Sequence, residues 1–282
     1  MSSEESAVPP KATPGSTTGR SRIWLVGLSV VWAVLLGVLA VLSVGRDEPT
    51  VREQRSLTQA VPVVYRALGD LVAAAGPDVV VELTAAEVAE GCRVTPFRDG
   101  ATLEQAVIFR TADAPALLDR IAQRLPADYR PVARHDEDGA HTFRADAGEF
   151  VAIRGSVTEL GVLTLTASTG CRPTDGTAIA DDLLVSPVDD EPARVLDALG
   201  ATEVEVGERA SAVHQQCRIV TARATGRGDP SQDLGDALRP LVGADAVVVA
   251  DEPDRYAYRS GSRSVVVETT GHDIRVAVTS SC

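Results

Sequence analysis

The octapeptide GCRVTPFR at residues 91–98 comes back at residues 216–223 as QCRIVTAR. Three further matches keep the same order. ALLDRIAQRL at 116–125 resembles DLGDALRPLV at 233–242, HTFR at 141–144 resembles YAYR at 256–259, and a closing strand ending STGC at Cys171 resembles one ending TSSC at Cys282. Four matches in one order predict two copies of one unit. Apolar spacing gives each copy the order helix, strands, helix, meander, so the expected fold is α+β: two tandem modules, each an antiparallel sheet with packed helices. Module 1 is expected over 56–171 and module 2 over 192–282, joined by an acidic Pro/Gly linker at 172–191. The second copy reads as lacking one strand between its first cysteine and its central helix.

Within module 1, Leu57, Val61, Val64, Leu68, Leu71 and Val72 recur at helical spacing up to Gly76-Pro77, with Pro62 confined to the early turns. Strands are expected at 79–83, 92–97 and 103–110, with Arg98-Asp99-Gly100 as the hairpin turn between the last two. A helix at 114–124 carries Leu117, Leu118 and Ile121 on one face, and short strands follow at 129–133, 141–144, 150–153 and 162–167. In module 2, Pro192 suits the first turn of a helix at 193–199 that ends at Gly200.

Four cysteines allow three pairings. Cys92–Cys171 with Cys217–Cys282 is the pairing that preserves the repeat, giving each module one disulfide. A thiolate metal site is disfavoured, because no C-x-x-C occurs and the histidines are badly spaced for tetrahedral zinc.

Ahead of the repeats, residues 23–44 read IWLVGLSVVWAVLLGVLAVLSV without an ionisable side chain. At about 1.5 Å per residue a helix here reaches about 33 Å, which matches a hydrocarbon core of about 30 Å. The expectation is a single transmembrane helix, with a cleaved signal as the alternative. Residues 1–22 then form a disordered cytoplasmic tail, and 45–55 a juxtamembrane linker. Basic residues flank both ends, so charge counting does not orient the span. A cysteine-bearing body fits an oxidising exterior, which places the N-terminus inside and the body outside the cell membrane. Ser29, Ala33 and Gly37 recur every fourth residue, a small-residue stripe through which two such helices could pair as a homodimer.

The chain has 27 basic and 40 acidic residues. Removing Lys11, Arg20 and Arg22 and then Glu4 and Glu5 leaves 24 against 38 after residue 45, net −14. A surface this acidic argues against nucleic acid as a partner. The cluster His135-Asp136-Glu137-Asp138-Gly139-Ala140-His141 could ligate a divalent cation. The second copy carries Asp251-Glu252-Pro253-Asp254 at the same place, so the shared feature is an acidic turn, and no metal or other cofactor is expected. Arg227-Gly228-Asp229 is a tripeptide of high chance frequency. His214 beside Cys217 suggests a base and a thiol, yet the sequence supplies neither an oxyanion hole nor an orienting third group. No nucleophile-elbow, phosphate-loop or dinucleotide fingerprint occurs, and no catalytic residue is assigned. The expectation is a single-pass, membrane-anchored extracytoplasmic protein acting as a non-enzymatic binding or scaffolding ectodomain at the cell envelope. The alternatives are a cell-wall or peptide hydrolase with its site between the modules, and a sensor signalling through a partner.

Overall fold

The computed structural model describes residues 28–36, 38, 55–95, 97–137, 139–159, 161–175, 190–207, 209–228 and 234–281. The chain divides into two compact units, Met1–Thr50 and Val51–Cys282. In the first, residues 28–36 and 38 are helical and exposed, Ser29 and Ala33 among them. No described helix is long and apolar enough to cross a membrane. The remainder of the expected span at 23–44, including Gly37, and the expected tail at 1–22 lie outside the described residues, as does most of the linker expected at 172–191.

The larger unit runs α1 (Leu57–Ala75), β1 (Val80–Leu83), β2 (Glu87–Thr95), β3 (Arg98–Arg110), α2 (Ala114–Arg124), β4 (Val132–His135), β5 (His141–Asp146), β6 (Ala152–Glu159) and β7 (Val162–Ser168). It continues with α3 (Glu191–Ala198), β8 (Thr202–Val206), β9 (Ala210–His214), β10 (Cys217–Arg227), α4 (Leu234–Leu238), β11 (Val247–Glu252), β12 (Arg255–Ser260), β13 (Arg263–Thr270) and β14 (Asp273–Ser280). This corrects the expected α+β class. The described structure is mostly antiparallel sheet, two sheets of seven strands, and its helices are short. In the second half Pro240 converts the end of the central helix into a 3-10 turn, Arg239–Leu241, because proline has no amide hydrogen to continue the α ladder.

Both sheets share one strand order. The first is β1-β3-β7-β6-β5-β4 with β2 also on β3, and the second is β8-β10-β14-β13-β12-β11 with β9 also on β10. The four sequence matches do not all fall on equivalent strands. HTFR and YAYR lie on β5 and β12, which correspond, whereas Cys92 lies on β2 and Cys217 opens β10. The strand expected to be missing after Cys217 precedes it as β9. The expected turn at Arg98-Asp99-Gly100 is likewise the start of β3, where Gly100 pairs with Cys92.

The disulfide Cys92–Cys171 is present, with Cα atoms 5.9 Å apart. It ties β2 to the chain leaving β7, across β3, where Ala101 bridges Arg172. It is the one bridge defined among the described residues, so one disulfide per module is not what the described structure shows. Cys217 is not a free thiol, and its expected partner Cys282 lies outside the described residues.

The two halves share part of their cores, although Leu196, Leu238, Val267 and Val276 form a cluster within the second half alone. Helix α1, started by a Ser56 capping box with Gln59, sits between the first sheet and β9 of the second half. Ala210, Ala212 and Ile219 share one buried cluster with Val64, Leu68 and Leu71 of α1 and with Phe109, Phe143 and Leu165. The approach is close at Gly69, where a Cβ would lie 2.2 Å from the Val213 carbonyl oxygen.

Strand β1 makes the second joint. One edge pairs with β3, and the other lies over the face of the second sheet that α3 and α4 leave open. Val80 packs there on Ala257, Val266 and Ala277. The outward amides are capped by side chains: Val81 N–H donates to Ser264 Oγ at 3.0 Å and Leu83 N–H to Thr221 Oγ1 at 2.9 Å. Arg259 donates to the Val79 carbonyl at 3.2 Å, and Arg223 to the Leu83 carbonyl. An edge that would otherwise template aggregation is thereby closed.

Candidate binding face on the first sheet

Because the two sheets share a topology, their residues correspond row by row. In the second sheet one row across the strands is Arg259, Ser264, Thr279, Thr221, and the next is Ala257, Val266, Ala277, Arg223. Those rows hold β1. The same positions of the first sheet are Arg144, Arg154, Thr166, Ala106 and then Thr142, Ser156, Thr164, Ile108. Alternation sends Phe143, Ile153, Leu163, Leu165 and Ala167 inward beneath α1 and α2, so the other face carries these rows outward.

Arg134, Arg144 and Arg154 are exposed on it, and none forms an ion pair among the described residues. Arg134 pairs in register with Thr142, and Arg144 stands directly opposite Arg154, an arrangement of like charges that costs stability. Two shallow grooves of about 400 and 550 Å³ run along this face and meet at Arg154 and Gly155. The apolar seat that Ala257, Val266 and Ala277 offer Val80 is replaced by the hydroxyls of Thr142, Ser156 and Thr164. Such a surface offers guanidinium and hydroxyl donors to anionic or carbonyl oxygens.

The histidines singled out in the sequence sit at another place. His135 and His141 are register partners on β4 and β5. Their Nδ1 atoms are 2.7 Å apart, and His135 Nε2 is 2.9 Å from Asp119 Oδ1 on α2. The three side chains form a hydrogen-bonded line, Asp119–His135–His141. Among the described residues no group of three or more metal-ligating side chains is placed to hold a metal. The turns after β4 and β11 do correspond, as the acidic-turn reading requires. Arg227 ends β10 and pairs with Asp273 and Glu203, while Asp229 lies outside the described residues.

Sequence reasoning missed two clusters. His214 does have an orienting carboxylate: Asp70 of α1 lies 2.7 Å from its Nδ1 and accepts the Tyr129 hydroxyl at 2.5 Å. Burial and the Asp70 carboxylate raise the Tyr129 pKa. With Cys217 engaged, the cluster has no thiol nucleophile and serves to join α1 to β9. The second is Glu82, 1% exposed. It accepts from Arg275 at 2.6 Å, Arg110 at 3.1 Å and Arg223 at 3.2 Å. Burial alone would push its carboxyl up, but the arginines, Arg275 foremost, hold it below the ordinary value; Glu268 is lowered in the same way. Each cluster had a signal, a lone carboxylate inside an apolar run: Asp70 in LGDLV and Glu82 in VVVEL.

No protein-family description and no curated protein matches this chain. Among solved structures, a DUF4853 family protein from Actinomyces odontolyticus is similar, at 15% identity and a TM-score of 0.33, covering 55% of this chain and 87% of its own. A likeness at that level carries no inference about function.

Proposed function

We propose that this protein is a non-enzymatic binding or scaffolding ectodomain at the outer side of the cell membrane, held there by the apolar stretch 23–44, and that it engages extended segments through the open face of the first sheet. One observation carries the reading. Arg144 occupies the place of Arg259, which in the second sheet donates to the Val79 carbonyl of a docked strand edge. One copy of the face holds a strand, and the other presents the corresponding rows with no strand over them among the described residues.

A photo-crosslinking residue at Thr166, expressed in cells, tests this. Crosslinks are expected from Thr166, and they should disappear when Arg144→Glu and Arg154→Glu are added. An unchanged crosslink pattern would refute the face as the contact surface, and a body protected from protease added to intact spheroplasts would refute the orientation. The hydrolase alternative rests on the Asp119–His135–His141 line. It requires turnover of wall or peptide substrates by the purified full chain that is lost in His135→Ala/His141→Ala.

A further inference from the structure

The partner of the arginine face can be named from the repeat itself, on the footing of the binding role proposed above. In the first half, β1 precedes its sheet and docks across the second sheet. Its counterpart in the second half is β8, Thr202–Val206, sequence TEVEV. The correspondence is fixed by register: β1 pairs with the C-terminal end of β3, and β8 with the C-terminal end of β10. Their surroundings differ. β1 is buried throughout, whereas every residue of β8 is exposed, with Val204 at 42% and Val206 at 70%. Beyond β10 no described strand pairs with it, so its outer edge is open.

One docked strand and its occupied face thus have repeat equivalents that are both unoccupied among the described residues of the same chain. They also match in charge. β8 carries Glu203 and Glu205, and the face left open among the described residues carries Arg134, Arg144 and Arg154, with Glu104 also lining the groove at Arg154. Among the described residues Glu203 has only an exposed contact to Arg227 at 3.8 Å. The apolar seat of the second sheet suits Val80; the hydroxyl and guanidinium rows of the first suit a strand of alternating glutamates and valines. We propose that the partner is a second copy of this chain, and that β8 of one molecule docks on the arginine face of the next. The contact is heterologous, since strand meets face, so repetition gives rings or open chains along the membrane. Charge complementarity makes it salt-sensitive.

Sedimentation of the full chain in detergent tests the inference with two variants. Arg144→Glu/Arg154→Glu spoils the face and keeps β8. Glu203→Arg/Glu205→Arg spoils β8 and keeps the face. The wild type is expected to self-associate with an affinity that falls as salt rises, and each variant alone to lose association by on the order of a hundredfold. Mixed in equal amounts, the two should regain association and grow by alternation, because the reversed strand of one variant complements the reversed face of the other just as the two unaltered ends complement each other. Since all four positions are exposed, the mixture also reports that both variants are folded. Association indifferent to the four reversals, as pairing through the N-terminal stretch would be, overturns the inference, and so does a wild type that stays monomeric at about 1 mM, a free energy weaker than about −4 kcal/mol. If the chain is monomeric while the Thr166 crosslinks in cells still depend on the arginines, the face binds another protein and only self-association falls. If those crosslinks are also indifferent, the binding reading falls with it.

Discussion

Replacing Glu82 by glutamine tests how the halves are joined. The carboxylate is 1% exposed and takes three guanidinium groups at 2.6, 3.1 and 3.2 Å. Two of these arginines keep an anion after the change: Glu268 lies 2.7 Å from Arg110 and 2.5 Å from Arg275. Among the described residues Arg223 has no second carboxylate and is left 15% exposed with the Leu83 carbonyl alone. Stranding one buried charge costs about 3–5 kcal/mol. At about 2–4 °C per kcal/mol for a domain of this size, the midpoint of thermal unfolding should fall by about 6–20 °C. Circular dichroism melts of the full chain measure it. The double change Glu82→Leu/Arg223→Met should recover much of the loss, because apolar replacement of a buried pair is often neutral. A Glu82→Gln variant within about 0.5 kcal/mol of wild type would refute the argument, since that is the range of surface substitutions.

Gly69→Ala puts a methyl 2.2 Å from the Val213 carbonyl oxygen, backbone that cannot swing away, so urea titration should show a loss at or above the usual 1–3 kcal/mol of overpacking. Cys92→Ala/Cys171→Ala opens a loop of sequence separation 79, and denaturant unfolding should register a loss of about 4–5 kcal/mol on the chain-entropy account. Glu82 and Glu268 both have pKa values below the ordinary 4.5, so the stability they contribute is in place above that value and lost as pH falls through their folded-state values. Unfolding free energy measured from pH 7 down to pH 3 should therefore decline on the acid side. Arg154→Ser installs the residue found at the matching place in the second sheet and relieves the charge opposite Arg144; stability should rise by about 0.2–1 kcal/mol while Thr166 crosslinking weakens.

How much of this was open to sequence reasoning depended on the kind of signal. α1 and α2 carry regular apolar stripes, and both run where the spacing placed them. The repeat was visible through HTFR and YAYR, which do fall on equivalent strands. The cysteine octapeptides misled because eight residues of strand sequence fit either arm of a hairpin, and a slip by one strand leaves apolar alternation intact. That slip produced the turn at Arg98 and the strand read as lost from the second copy. The α+β class failed because periodicity counts helices without weighing them: α4 is cut short at Pro240, and α1 serves both halves. Contacts such as Val81 to Ser264 span 183 residues, and nothing local in either segment announces them.

The arginines themselves offer the sharpest measurement. Covalent arginine labelling with mass spectrometry, done on native membranes and on dilute purified full chain, reads whether each guanidinium is covered. Arg259, 9% exposed and bonded to Val79, should resist labelling in both. Arg144 and Arg154 should react freely in the dilute protein and be protected in membranes, as docking of a strand over them requires. Equal labelling of Arg144 and Arg154 in the two settings would contradict the account.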